Sequence, residues 1–309
     1  LLKENIIVPA HCLPEQQENY VNRFLAATKN TGNLMLFAGD QKIEHLNNDF
    51  EGEGIHPDDN DPEHLFRIAQ KGDVGVFAAQ HGIISRYGPS YPDVRYLVKM
   101  NSKTGLVSKK QMEPISQSLV DFSDVLELRD SGLDIIGIGY TIYLGSENEA
   151  YMLSEAGRFI AQAHRHGLLA VLWMYPRGAA VKHEHDPKLI AGAAGVACSL
   201  GADFVKVSAP KHDDSGDLDP ELLQEATRAA GRTGVIASGG SAVSPEDFLT
   251  RTKQQIELSH TRGSATGRNI HQHDLATAVR MCKALNAICT GSSAQEAIDI
   301  FKNHNGTTE

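Results

Sequence analysis

Lys206 stands between Val205 and Val207 in the run ADFVKVSAP (202–210), and a lysine inside so apolar a stretch is the first residue to weigh for chemistry. A free lysine has a pKa near ~10.4, so only about one in ~2,500 is neutral at pH 7. Burial or a neighbouring cation lowers that value by ~3 units, worth roughly 4 kcal/mol. Such an amine attacks carbonyl carbon and forms an imine. A lysine merely paired with a carboxylate fits the same position, and position alone does not separate the two.

Other reactive residue types close neighbouring apolar runs. Asp40 ends NLMLFAGD (33–40) and is followed by Gln41, Lys42, Glu44 and His45. It can orient a hydroxyl, hold the lysine or serve in proton transfer; it can equally cap a turn. Tyr175-Pro176-Arg177-Gly178 ends LAVLWMYPRG (169–178). The proline biases Tyr175 to an extended conformation, from which a phenol can exchange protons or simply pack at a rim. Ser238-Gly239-Gly240 and Gly267-Arg268-Asn269 are glycine turns. Glycines let backbone N–H groups approach an anion, and two such turns after the last two strands of a barrel make a phosphate cradle. Arg268 adds charge to it.

Eight β-rich runs must position these residues. They are 33–40, 74–82, 95–101, 135–143, 169–178, 202–210, 234–240 and a last one through the stretch ending in SATGRN (264–269). Most are almost continuously apolar, as parallel strands covered on both faces are. The segments between them read as helices: 147–167 with Gly167 as stop, 187–201 with Asp186 as N-cap before Pro187, and 244–255 with Ser244 as cap. Eight βα units predict an α/β protein, a single (β/α)₈ TIM barrel over 1–309, with an N-terminal extension (1–30) and insertions after the second and third strands. No G-x-G-x-x-G follows the first run, which disfavours a doubly wound sheet. Gly137 and Gly139 fall inside the fourth strand and read as close-packing positions.

The 309 residues carry a net charge of −10, with 41% hydrophobic and 22% charged residues, the profile of a soluble globular protein. The acidic balance argues against nucleic-acid or anionic-membrane surfaces. No apolar run approaches the ~20 residues of a membrane span, and the opening residues lack a signal-peptide pattern. Four cysteines without a C-x-x-C pair suit a reduced, cytoplasmic protein. His164-Arg165-His166 and His183-Glu184-His185 invite a metal reading. A spacing of two does not align the first pair on one helical face, and the second lies in a loop, so neither metal nor cofactor is expected.

The segments GDQKIEH (39–45), TIYLGS (141–146), WMYPRG (173–178), ADFVKV (202–207), SGG (238–240) and GRNIHQ (267–272) resemble, in order, the archaeal-type class I fructose-bisphosphate aldolases, which also occur in bacteria. The resemblance implies metal-free cleavage of fructose 1,6-bisphosphate to dihydroxyacetone phosphate and glyceraldehyde 3-phosphate. It implies Lys206 as Schiff-base lysine, Tyr175 as proton carrier, and Asp40 and His45 as the strand-one element. It implies a phosphate site of Ser238, Gly239, Gly240, Gly267 and Arg268, and homo-oligomers from decamers to smaller rings. Arg177 or Lys42 is expected at a second phosphate. The chain departs from the family pattern at Lys42, Leu46, Asn47 and Ser208. Related Schiff-base enzymes that join a ketose-phosphate fragment to another carbonyl, thiolases on signalling sugars, and a non-catalytic phosphosugar-binding barrel are the alternatives.

Overall fold

A computed structural model describes residues 1–106, 113–212, 219–240 and 243–303. Eight parallel strands close into a barrel: β1 (Leu34–Ala38), β2 (Val76–Gln80), β3 (Tyr96–Lys99), β4 (Ile135–Leu144), β5 (Leu169–Pro176), β6 (Phe204–Val207), β7 (Gly234–Ser238) and β8 (Gly263–Thr266). Each pairs with the next in sequence, and β8 returns to β1 with Leu34 opposite Gly263. Nearly every strand residue is buried, because one face looks into the barrel and the other lies under helices. The eight predicted runs and this barrel coincide.

The helices begin where the sequence supplies caps. Asp186 accepts from the backbone N–H groups of Lys188 and Leu189 at the start of Pro187–Leu200, and Gly201 closes that helix in the left-handed region at φ +90°. Ser244 accepts from Asp247 N–H ahead of Pro245–Ser259. The insertions need correction. One does follow β3, where Asn101–Ser102 and Gln117–Ser118 form a small antiparallel ribbon. The other follows β1, not β2: residues 39–61 hold a four-residue helix (Gln41–Glu44) and a 3-10 turn (Pro57–Asn60). Helix His81–Tyr87 starts directly after β2. It ends at Gly88-Pro89, and that break gives the segment an irregular look in sequence.

The N-terminal extension plugs the floor of the barrel. Ile6, Val8, Val21 and Phe24 pack against the inward-facing side chains, and Phe24 stacks on Phe204 with centroids 5.6 Å apart. Asp203 ties the plug down. It accepts from the Tyr20 hydroxyl and from Ala170 N–H (2.7 Å), and lies 3.0 Å from His164 Nε2. His164 is therefore engaged at the floor, with His11 on its other nitrogen at 3.2 Å. His166 packs beside Phe122. Gly137 and Gly139 are close-approach positions, as expected: a Cβ on Gly137 would lie 2.3 Å from Leu169 O. No helix among the described residues is long and apolar enough to cross a membrane.

Candidate active site

Alternation along the strands brings the reactive residues together. Ala38, Ala78, Leu97, Trp173, Phe204, Ile236 and Ala265 belong to one cluster inside the barrel. Side chains two residues apart share a face. One step of two toward the C-terminal ends therefore gives Asp40, Gln80, Lys99, Tyr175, Lys206, Ser238 and Gly267. A cavity of about 390 Å³ opens there. Asp40, His45, Tyr175, Arg177, Lys206, Ser238, Gly239, Gly240, Gly267 and Arg268 all line it, so the ten residues singled out in sequence converge on one site.

Lys206 is 5% exposed. Burial pulls its pKa below the usual lysine value; Asp40 opposes that shift and Lys99 adds to it. Lys99, at the end of β3, is also buried and also shifted down by burial, against Asp40 and Glu44. Its Nζ donates to Thr141 Oγ1 at 2.6 Å and lies 3.7 Å from Asp40 Oδ2. Trp173 stands beside both amines, with its ring centroid 4.8 Å from Lys99 Nζ and 5.3 Å from Lys206 Nζ. A Cβ on Gly139 would sit 2.7 Å from the Trp173 ring and 3.0 Å from Lys99 Cδ, so this position must be bare for the pair to fit.

Tyr175 stands one inward position above Trp173. Burial, with Asp40 and Glu44, pushes its pKa far up, so the resting side chain is a phenol. Arg177 lies 5.3 Å from the Tyr175 ring centre. Its guanidinium is held between Glu44 (3.5 Å) and Glu184 (3.3 Å), and Tyr143 donates to Glu44 at 3.0 Å. Burial disfavours the Arg177 cation, but Glu184, Tyr143 and Glu44 outweigh it, and the pKa rises.

The two glycine turns adjoin. Asn269 Nδ2 and Arg251 Nη2 each donate to Gly239 O at 3.2 Å, which joins the turn after β7 to the turn after β8. A Cβ on Gly267 would lie 2.1 Å from Gln41 Nε2 and 2.9 Å from Ala38 O, so only glycine lets strand one approach here. Arg268 Nε is 3.8 Å from Asp49, which also pairs with His45 at 3.0 Å. Backbone and side-chain amides with arginines make this end of the cavity suited to an oxyanion.

Several residues of the site escaped the sequence reading. Lys99 carries the same signal as Lys206, a lysine in an apolar strand (RYLVKMN), and that test would have found it. Arg251 lies in the middle of the helix Pro245–Ser259, where an arginine looks like surface; only the fold turns it under the β7 turn. Glu184, His185 and Lys211 also line the cavity, although the loop 183–185 has no strand-end signature. Lys42 is corrected in the opposite sense. Its Nζ donates to Asn60 O (3.0 Å) and Asn47 Oδ1 (3.3 Å) within the insertion after β1, and it is not among the side chains that line the cavity.

The model of the DeoC/LacD family of aldolases matches residues 34–273. A protein of Methanocaldococcus jannaschii named fructose-bisphosphate aldolase/6-deoxy-5-ketofructose 1-phosphate synthase is 55% identical over 97% of this chain and 96% of its own length. A solved structure, a fructose-bisphosphate aldolase of Slackia heliotrinireducens, superposes with TM-score 0.96 at 50% identity, covering 100% of this chain and 98% of that one. A second, an archaeal fructose-1,6-bisphosphate aldolase with its catalytic lysine bound to the substrate's carbinolamine intermediate, superposes with TM-score 0.75 at 31% identity, over 88% of this chain and 100% of that one.

Proposed function

We propose that this chain, which belongs to the DeoC/LacD family of aldolases, cleaves fructose 1,6-bisphosphate reversibly by Schiff-base chemistry on Lys206. The observation that carries the reading is a buried lysine with a lowered pKa, facing a cavity whose far rim is two glycine turns and two arginines.

The phosphate beside the ketone binds at Ser238, Gly239, Gly240, Gly267 and Arg268, with His45 and Asp49 steadying Arg268. Neutral Lys206 adds to C2 and gives a carbinolamine. Tyr175 is a phenol at rest, so its first role is as a proton donor: it protonates the departing hydroxyl, water leaves, and an iminium forms beside the new phenolate. The phenolate then takes the proton of the C4 hydroxyl while the C3–C4 bond breaks. The aldehyde departs and the bond electrons rest in the enamine. Tyr175 returns its proton to C3, and water releases dihydroxyacetone phosphate from Lys206. Asp40 neutralises the ammonium of Lys99 and orients the substrate hydroxyls. Arg177 faces the second phosphate, shared with Glu44 and Glu184. No residue of this scheme requires a metal, and activity retained in EDTA is expected.

Borohydride reduction in the presence of fructose 1,6-bisphosphate, followed by mass spectrometry, tests the assignment. The expected result is one adduct on the peptide containing Lys206, absent from Lys206→Met. An adduct elsewhere, or one that persists in that variant, would refute it.

One observation favours a second reaction at the same site. The guanidinium of Arg177 is already neutralised by two carboxylates, so a phosphate on the aldehyde fragment gains little there. The second name of the M. jannaschii relative is that of a synthase whose product carries one phosphate. Transfer of the enamine fragment to an unphosphorylated carbonyl acceptor is the corresponding reaction here, and product analysis with such acceptors reports it. A cytoplasmic homo-oligomer belongs to the same proposal, supported by the family resemblance; light scattering measures the copy number.

A further inference from the structure

A second cavity lies apart from the catalytic one. At the opposite end of the barrel, between the N-terminal plug and the lower ends of β6, β7 and β8, lies a cavity of about 970 Å³. Its two sides differ in chemistry. Phe24 and Ile256 contribute apolar surface, whereas Arg228, at the end of the helix Gln224–Ala230, and Arg232 and Arg262, in the connections that lead into β7 and β8, bring three guanidinium groups. Among the described residues, none of these arginines has a carboxylate within 4.0 Å. The acid that lines the cavity, Asp203, is occupied by Tyr20, His164 and Ala170 N–H.

The backbone of Arg262 is fixed between two strands. Arg262 N–H donates to Val235 O at 2.7 Å, and Leu34 N–H donates to Arg262 O at 2.8 Å. The neighbouring Thr261 is 1% exposed, and its Oγ1 has no hydrogen-bond partner. A buried hydroxyl without a partner destabilises the fold unless something supplies one.

We infer that this floor cavity is a second binding site, for an organic phosphate with an apolar body, of which a nucleoside phosphate is the simplest kind. Three arginines match several phosphate oxygens, because each guanidinium presents a planar fork of donors. The apolar side and the volume exceed what a bare inorganic ion fills, and they fall in the range of sites for small organic ligands. The strands whose lower ends form the site carry Lys206, Ser238 and, just past β8, Gly267 at their upper ends, so both sites share one set of strands.

The experiment is calorimetric titration of the full chain with ATP, adenosine and pyrophosphate. The comparison is between Arg228→Ala/Arg262→Ala at the floor and Arg268→Ala at the catalytic mouth. ATP is expected to bind the unaltered chain and the mouth variant alike, and about 10-fold more weakly for each floor arginine removed. Adenosine and pyrophosphate each bind at least about 10-fold more weakly than ATP. Ile256→Trp, which keeps the charges and fills the groove, loses ATP binding as well. Three results overturn the inference: ATP affinity unchanged in the floor variants, pyrophosphate binding as tightly as ATP, or no ATP binding at millimolar concentration. A change in sedimentation of the floor variants without a change in ATP affinity also overturns it, since the groove is then an interface between copies. Binding is the readout throughout, so failure here leaves the aldolase reading standing.

Discussion

Lys99 and Lys206 share one aromatic ring: their amine nitrogens lie 4.8 and 5.3 Å from the centre of Trp173. Two amines buried beside one indole cannot both keep their protons cheaply. Burial disfavours the charge of both, and Lys99 lowers the pKa of Lys206 further. Asp40, 3.7 Å from Lys99, biases the remaining charge toward Lys99 and leaves Lys206 the better candidate for the neutral nucleophile.

The pH dependence follows from that pairing. Activity needs neutral Lys206, so it is present above the apparent pKa of Lys206 and lost as pH falls through it. Lys99→Met removes a neighbouring positive charge and frees Asp40 to favour the Lys206 ammonium. The acid limb of the kcat/KM profile moves to higher pH in this variant. A limb that stays in place or moves down contradicts the coupling.

Stability has the opposite interest. The lowered folded-state pKa of Lys206 means that the unfolded chain binds more protons from that value up to ~10.4. Folding is therefore penalised below this window and strengthens as pH rises through it. Lys206→Met abolishes turnover and removes the penalty, so at pH 7 it raises Tm by about 2 °C or more. Differential scanning calorimetry at pH 7 checks the sign.

Tyr175→Phe separates proton transfer from packing, because the ring stays and only the hydroxyl goes. Loss of general acid–base assistance costs about 10²–10⁴ in kcat, while KM changes by less than about 3-fold because phosphate contacts remain. A variant that keeps its kcat assigns the proton transfer to another group.

Gly267→Ala drives a methyl group against Gln41 Nε2 and Ala38 O. The phosphate turn shifts, and KM for the sugar phosphate rises by about 10-fold with a smaller effect on kcat. Adding Gln41→Ala recovers part of the loss. The Ala38 carbonyl, which cannot move aside, keeps the rest. Steady-state kinetics of the single and double variants measure both.

At the barrel floor, Asp203→Ala leaves the Tyr20 hydroxyl, the His164 ring and Ala170 N–H without their acceptor. Each is buried, so the cost is about 3 kcal/mol or more, read as a lower midpoint in urea. The N-terminal plug is released with it, and proteolysis within residues 1–30 quickens.

The barrel itself was legible in the linear chain. An almost continuous run of apolar residues has few homes other than a parallel strand covered on both sides, and Asp186, Ser244 and Gly167 mark their helix ends by local backbone chemistry. Lys206, Tyr175, Asp40 and the two glycine turns were legible for the same reason: each interrupts or ends a strand, and in a barrel those ends meet. What tertiary structure alone decided is which side chains from distant strands share a ring, a carboxylate or a cavity. Nothing local brings Lys99 and Lys206 to one indole, or turns Arg251 under a loop. Nor does anything local turn Lys42 out of the site or lay Phe24 on Phe204. Those contacts depend on strand register and on how the barrel closes. Register is set by the packing of the whole ring, so no single segment contains it.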